Sequence, residues 1–321
     1  MNKRGFLNGV LLLALHAAAA TALAQTFPAR PVRLVVPQPA GTSNDVLART
    51  LADQLGKTLG QPVVVENKPG ANGTIAANYT ISQPADGHTL FLAGVSNLAW
   101  NPHLYSNLSH VPSRDFAGVA LIANTPFATL VSPALGVKTF ADLVKKARQE
   151  PGKISFASAG IGNSTHLAME LISERAGMKL QHVPFNGPGL QTSLLAEETP
   201  VMTGPLGGVS ELVRTGKLSA LAVTGYKRLT AFPNVPTFKE LSYDVAVPGW
   251  YSIVVRSGTA PAIIQRLNAE INKAMETPEM KEKLANQVLD ALGGPPSEVE
   301  RLMKRDAEQW GPLIKRLNIA Q

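Results

Sequence analysis

The sequence predicts an α/β protein of two domains, the first a doubly wound sheet and the second with a sheet and core of its own. Two observations carry that expectation. Strand-like and helix-like segments alternate along the chain, which is the signature of a mostly parallel sheet covered by helices. Two small-residue loops each sit between a strand pattern and a helix start, a geometry that recurs in such folds. The 321 residues are more than one hydrophobic core usually needs.

The elements follow in order. Val32-Arg33-Leu34-Val35-Val36 is a short buried-strand pattern. Val46, Leu47, Leu51, Leu55 and Leu59 then recur at helical spacing, and Gly60 ends that helix. Pro62 to Glu66 is a second strand, Asn67 to Gly73 a turn-rich loop, and Thr74 to Ile81 a short helix. Thr89 to Ala93 is a third strand, completing a βαβαβ order.

A second set starts near residue 125. Phe127 to Val131 reads as a strand, and Thr139 with Asp142 as a capping box opening a helix to Gln149. Lys153 to Ala157 is a strand, and Leu167, Leu171 and Ile172 mark the buried face of a helix ended by Gly177. Leu180 to Phe185, Thr199 to Met202 and Leu218 to Thr224 add strands. The remainder reads as helical. Pro261 starts one helix, Thr277-Pro278-Glu279 another, and Ser297 with Glu300 a capping box for the last. Leu302, Met303, Trp310, Leu313 and Leu317 form an apolar stripe on that last helix, read as packing. Pro233, Pro236, Pro248 and Gly249 cluster where the chain can return between domains. The expected division is 1–24 as a leader, 25–124 as the first domain, 125–225 as the second, and 226–321 returning to the first.

The leader is a secretory signal peptide. Lys3 and Arg4 form a basic start, Phe6 to Ala20 an apolar run, and Ala22-Leu23-Ala24 a cleavage signal. The run is shorter than the roughly 20 residues of a membrane span. Cleavage after Ala24 lowers the formal charge from +7 to +5, mild for this length. Cysteine is absent, so no disulfide or lipid-bearing cysteine is available, and a bacterial periplasm suits the chain. No nucleic-acid motif is present, and the mature protein is expected to be a monomer without a cofactor.

The first loop, Pro37-Gln38-Pro39-Ala40-Gly41-Thr42-Ser43-Asn44-Asp45, offers a flexible glycine and four residue types that cap helices. The second, Ala157 to His166, offers Gly160, Gly162, Ser158, Asn163, Ser164 and Thr165. A helix N-terminus presents unpaired amides and partial positive charge, so each loop is either an anion site or an ordinary capped βα turn. Asp45 either folds back onto its own helix or meets an ammonium group on a ligand. Gly160-x-Gly162 lacks the third glycine of a dinucleotide site, and no P-loop lysine follows. His166 and Glu170 lie one turn apart, but the histidines have no metal spacing. Gly94-Val95-Ser96-Asn97 and Phe185-Asn186-Gly187-Pro188-Gly189 follow strands, where open α/β sheets bind ligands. No serine-hydrolase elbow, zinc-protease motif or cysteine nucleophile occurs.

Taken together, these segments resemble the Bug/TctC-like periplasmic solute-binding receptors of tripartite tricarboxylate transporters. The resemblance rests on Pro31 to Pro37, Gly41 with Asp45 and Ala48-Arg49, Leu59 to Ala71, Ala85 to Leu90 and Asn101 to Tyr105. It continues through Gly160-x-Gly162 with His166-Leu167, Val235 to Glu240, Trp250-Tyr251 and Leu267 to Ile271. It implies a two-lobed, type II periplasmic-binding-protein-like fold with a small carboxylate held between the lobes, and transporter membrane subunits as partners. The implied ligand set is Ala40, Gly41, Thr42, Asn44, Asp45, Ser96, Ser158, Gly160, Gly162, Asn163, Thr165, His166, Gly187, Thr203 and Gly204. The chain departs from the family at the first loop, which commonly reads Pro-Phe-Ala-Ala-Gly-Gly; here Gln38, Pro39 and Thr42 differ. Pro200-Val201-Met202-Thr203-Gly204-Pro205 stands where an acidic strand end is common. A receptor is therefore the leading expectation. An accessory protein of a periplasmic sensor and, from another class, a hydrolase using His166 are the alternatives.

Overall fold

A computed structural model describes residues 27–185, 189–225, 227–247 and 249–319. The leader lies outside the described residues, as do Gly187 and Pro248. Two sheets organise the chain. Among the described residues the first has six strands and the second five.

In the first sheet β1 (Val32–Val36) pairs in parallel with β2 (Val63–Asn67) and β3 (Thr89–Gly94). Helix α1 (Ser43–Leu59) joins β1 to β2 and ends at Gly60, whose left-handed φ of 69° suits a residue without Cβ. Val32, Leu34 and Val36 pack with Leu47, Leu51 and Leu55 of α1, while Val35 faces the opposite core with Phe91. Both faces of β1 are thus buried except at half-exposed Arg33, which is why its other four residues are apolar. Helix α2 (Thr74–Ser82) joins β2 to β3.

Strand β4 (Phe116–Asn124) then leads directly across to β5 (Phe127–Val131) of the second sheet. Helix α3 (Phe140–Gln149) opens on the reciprocal Thr139–Asp142 capping box. Strand β6 (Ser155–Ser158), helix α4 (Ser164–Ala176) and strand β7 (Gln181–Pro184) form a parallel unit. Strands β8 (Val201–Pro205) and β9 (Ser219–Val223) complete the sheet, with β5 antiparallel to both. Residues after β9 stay with this sheet, since Val223 bridges to Thr237 and Phe238 packs edge-on against Phe140.

The chain rejoins the first sheet at β10 (Trp250–Arg256), antiparallel to β3 and β4. Helices α5 (Pro261–Met275) and α6 (Pro278–Asn286), the short β11 (Asp290–Ala291) and α7 (Pro296–Arg316) follow. The expected Ser297–Glu300 box does not form. Pro295 is the N-cap and Pro296 the first helical residue, so Ser297 is already inside the helix. The apolar stripe of α7 packs as expected. Leu302, Met303 and Trp310 are buried, and the Trp310 ring lies 4.5 Å from Trp100. Buried Asp306 of α7 accepts a hydrogen bond from Trp250 Nε1 at 2.6 Å, fixing the start of β10.

Strands β4 and β10 were not foreseen, and they make the connection between the lobes. Asn124 pairs with Trp250, and Thr125 N donates to Gly249 O at 2.5 Å, so the two crossings run side by side. A Cβ at Gly249 would collide with Thr125 O, so only glycine fits.

Candidate functional site

The first loop is held by its own side chains. Thr42 caps α1, accepting from Asp45 N at 3.4 Å while its hydroxyl donates to Pro39 O at 2.8 Å. Asp45 turns back rather than outward. Its carboxylate accepts from Gly41 N, Arg49 Nε and Asn67 Nδ2, each at 2.9 Å. Burial works to raise its pKa, but hydrogen bonds from Arg49, Gly41 and Asn67 outweigh burial and hold it below its ordinary value. Gly41 takes φ 82°, which a side chain would strain. Ala40 and Gly41 are exposed. Asn44 is buried and hydrogen-bonds Tyr251, whose phenol is pushed up to about 12 by its burial.

The second loop is held by neutral groups. Asn163 caps α4, accepting from Thr165 N at 3.1 Å. Thr165 Oγ1 accepts from Ala159 N at 2.8 Å. Gly162 N donates to His166 Nδ1 at 3.1 Å, which leaves the His166 proton on Nε2, toward Glu170 Oε1 at 3.6 Å. His166 stacks on His182 with ring centroids 3.7 Å apart. Ser158 Oγ lies 2.6 Å from His182 Nε2 and accepts from Gly160 N at 3.2 Å. Burial, and then the adjacent His166, depress the His182 pKa to about 4, so that ring is neutral at pH 7.

A third segment bridges the lobes. Asn72, in the loop after β2, takes the left-handed conformation at φ 47°. Its side chain donates to Asn101 Oδ1 at 2.7 Å and accepts from Asn163 Nδ2 of the other lobe at 3.1 Å. Asn97 and Asn101 each donate to Asn72 O. On the other flank, a Cβ at Gly208 of the second lobe would lie 3.5 Å from Ser43 Oγ of the first. The lobes therefore meet directly at Asn72–Asn163 and come close at Gly208.

That space is a cleft of about 390 Å³, counted to its open mouth. Its walls are Gln38, Asn72, Gly94 to Asn97, Thr125, Phe127, Asn163, Ser164, Gly249, Trp250 and Tyr251. Among these described residues no side chain is charged. Of the residues expected in the site, Ser96 and Asn163 line this cleft. Ser158, Gly160, Gly162, Thr165 and His166 stand behind Asn163 as its supports. Asn44 reaches the cleft through Tyr251. Ala40, Gly41, Thr42 and Asp45 form the rim loop beside Gln38 and are not among its walls. Thr203 and Gly204 sit inside the second lobe instead. Thr203 is fully buried and pairs with Thr129 at 2.9 Å, and Gly204 packs beside the Thr165 methyl. Gly187 lies outside the described residues.

Several wall residues escaped the sequence reading. Thr125 and Gly249 enter only because β4 and β10 pair across more than a hundred residues of sequence. Asn72 carried one signal, its place in a Pro-Gly-Ala-Asn-Gly turn that favours left-handed backbone.

Comparison with known proteins gives this geometry its context. A family model described as the tripartite tricarboxylate transporter family receptor matches residues 47–319. The chain belongs to this family. It is 33% identical to the protein BugT of Bordetella pertussis over 95% of this chain and 94% of that one. Among solved structures, R. palustris Rpa4515 with adipate superposes with a TM-score of 0.87 at 29% identity, covering 92% of this chain and 99% of that one. MatC from Rhodopseudomonas palustris with bound malate gives a TM-score of 0.83 at 26% identity, covering 90% of this chain and all of that one. The TctC-family receptor described here is thus a two-lobed solute-binding protein and not an enzyme, in a family of periplasmic binding proteins. Among its described residues no helix is long and apolar enough to cross a membrane.

Proposed function

We propose that this receptor captures a small carboxylate in the cleft between its lobes and delivers it to the membrane subunits of a tripartite tricarboxylate-type transporter. The observation that carries this reading is the wall chemistry. The cleft is lined by amides, hydroxyls and backbone, with loop and helix N-termini on either side and no charged side chain among the described walls. Such a surface binds an anion through oriented N–H and O–H dipoles. Family members solved with adipate and with malate support the same ligand class.

In this reading Asn163, Ser164 and Ser96 meet the ligand, and the Asn72–Asn163 contact closes the lobes over it. The rim loop at Ala40 to Asp45 supplies a second group of amides. Closure shifts a population between two lobe arrangements, with the ligand favouring the closed one. Export by the leader, cleavage after Ala24 and a monomeric mature form complete the proposal.

Isothermal titration of the mature protein against mono-, di- and tricarboxylates, after unfolding and refolding to strip carried-over ligand, tests it. A saturable acid should also raise the melting temperature. At a concentration about 100 times its Kd, the gain is roughly 2.7 kcal/mol. A folded, stripped protein that binds no acid overturns the proposal. The intact mass of the periplasmic form checks the cleavage site, and light scattering its monomeric state.

A further inference from the structure

Two residues that line the cleft each carry an enclosed polar atom with no hydrogen-bond partner among the described residues: Gln38 Oε1 and Thr125 Oγ1. Thr125 is only 2% exposed. Buried polar atoms in folded proteins are paired as a rule, and each exception asks for an explanation. These two share one cleft, one from the rim loop of the first lobe and one from the crossing between lobes.

Both are also held rigidly. Gln38 stands between Pro37 and Pro39, and its backbone oxygen accepts from Asn67 Nδ2 at 3.0 Å. Thr125 precedes Pro126, and its backbone is fixed against Gly249. A residue before proline is confined to extended backbone, so neither side chain is carried on a loose segment. Groups preset in this way lose little freedom when a ligand arrives.

We propose that Gln38 and Thr125 read a neutral hydrogen-bond donor on the bound acid, which makes this a receptor for hydroxy-substituted carboxylates. The proposal rests on the carboxylate-receptor reading above and adds a selectivity to it. An amide oxygen accepts only, and a threonine hydroxyl both accepts and donates, so an alcohol within reach of both would satisfy both. A charged ammonium donor is disfavoured because no carboxylate lines the cleft among the described residues.

The test is titration of the stripped mature protein with matched acids: succinate, malate and aspartate; glutarate and 2-hydroxyglutarate; propanoate and lactate; benzoate and 4-hydroxybenzoate. In whichever skeleton binds, the hydroxy acid should bind about tenfold tighter than its deoxy partner, the scale of one well-placed hydrogen bond. Where succinate and aspartate are compared with malate, malate should lead both. Gln38→Leu should shrink the hydroxy-to-deoxy ratio to within about threefold, and Thr125→Val, nearly isosteric, should shrink it independently should the first variant fold poorly. Acids that bind with no preference for the hydroxyl overturn this proposal and leave the receptor reading intact. So does a preference that survives both substitutions. A panel in which no acid binds overturns both readings.

Discussion

The two loops at the cleft do the same local job with opposite chemistry. Each follows a strand, turns on a glycine with positive φ and starts a helix, Gly41 before α1 and Gly162 before α4. The first is braced by charge. Asp45 accepts from Gly41, Arg49 and Asn67, and the exposed Arg49 balances it. The second is braced by an amide, hydroxyls and the stacked pair His166–His182, with the Glu170 carboxylate set back 3.6 Å beyond His166. The difference follows from exposure. Arg49 stands at the water's edge, where a charged partner costs little. The second loop leans on Phe156 and on buried Ser158, where an unpaired charge would be expensive. A helix start that must attract an anion is better braced without a carboxylate of its own, and the second loop meets that condition while the first meets it only through Arg49.

The largest expected effect breaks the charged brace. Asp45→Ala removes three hydrogen bonds to a nearly buried carboxylate, and bonds to charged groups are worth more than neutral ones, so the loss is about 2–3 kcal/mol by urea unfolding. A loss below about 0.5 kcal/mol would show that the loop does not depend on its charge. The pH dependence has a definite sign. The folded pKa of Asp45 lies below the ordinary 3.8, so its contribution is present above that pH and fades as pH falls through the folded value.

The neutral brace has a different pH window, which separates the two loops in a single titration of stability. His182 is depressed from 6.5 to about 4, so the unfolded chain holds more protons between those values. Stability contributed by the neutral ring is therefore full above about 6.5, falls as pH drops toward 4, and changes no further below it. The groups facing His182 are Ser158, Phe156, His166 and, beyond it, Glu170. With partial exposure discounted, the change is about 2 kcal/mol. His182→Gln should flatten the slope above pH 4 and leave the Asp45 region below it intact; an unchanged slope sinks the assignment.

Much of this comparison was legible in the sequence, because local chemistry governs it. Thr139–Asp142, Gly60 and Gly177 work as caps where their types and spacing predicted. Asp45 folding back was one of two readings, and Arg49, one turn on, decides between them. What stayed hidden depends on distant partners. Strand β10 reads Trp-Tyr-Ser-Ile-Val-Val-Arg, yet its role as a crossing comes only from pairing with β3 and β4. Thr203 looked like a polar group at a strand end, but strand alternation turns it inward onto Thr129. His182 sat in an ordinary strand pattern, and only the parallel pairing of β6 with β7 brings it beside Ser158 and under His166.

A smaller effect separates capping from closure at Asn163. Its oxygen caps α4 and its amide nitrogen reaches Asn72 across the cleft. Asn163→Ala should cost about 1–2 kcal/mol, near the upper end for a lost cap. Asn163→Asp keeps the cap and removes the donor to Asn72. It should keep most of the stability while weakening acid binding, measured by titration, because a carboxylate now faces the acid and the lobes lose a direct link; Asn72→Ala, which removes the link without adding charge, should weaken binding too. If the aspartate variant binds as tightly as the native chain, Asn72–Asn163 does not contribute to closure.

The smallest effect is expected at Thr42, although the loop's departure from the family pattern draws the eye there. Its hydroxyl is committed twice, to Pro39 O and to Asp45 N, and it does not line the cleft. Thr42→Gly removes the hydroxyl and both of its bonds. Glycine is a fair N-cap, so the cost should be a few tenths of a kcal/mol. Acid affinity should move by less than about threefold, under 1 kcal/mol. The neighbouring departure, Gln38, lines the cleft and carries an enclosed, unpaired oxygen, so its replacement should change affinity far more. A larger effect from Thr42→Gly than from Gln38→Leu would mean that the rim loop meets the ligand through its hydroxyl, and would shift the weight of recognition from the neutral brace to the charged one.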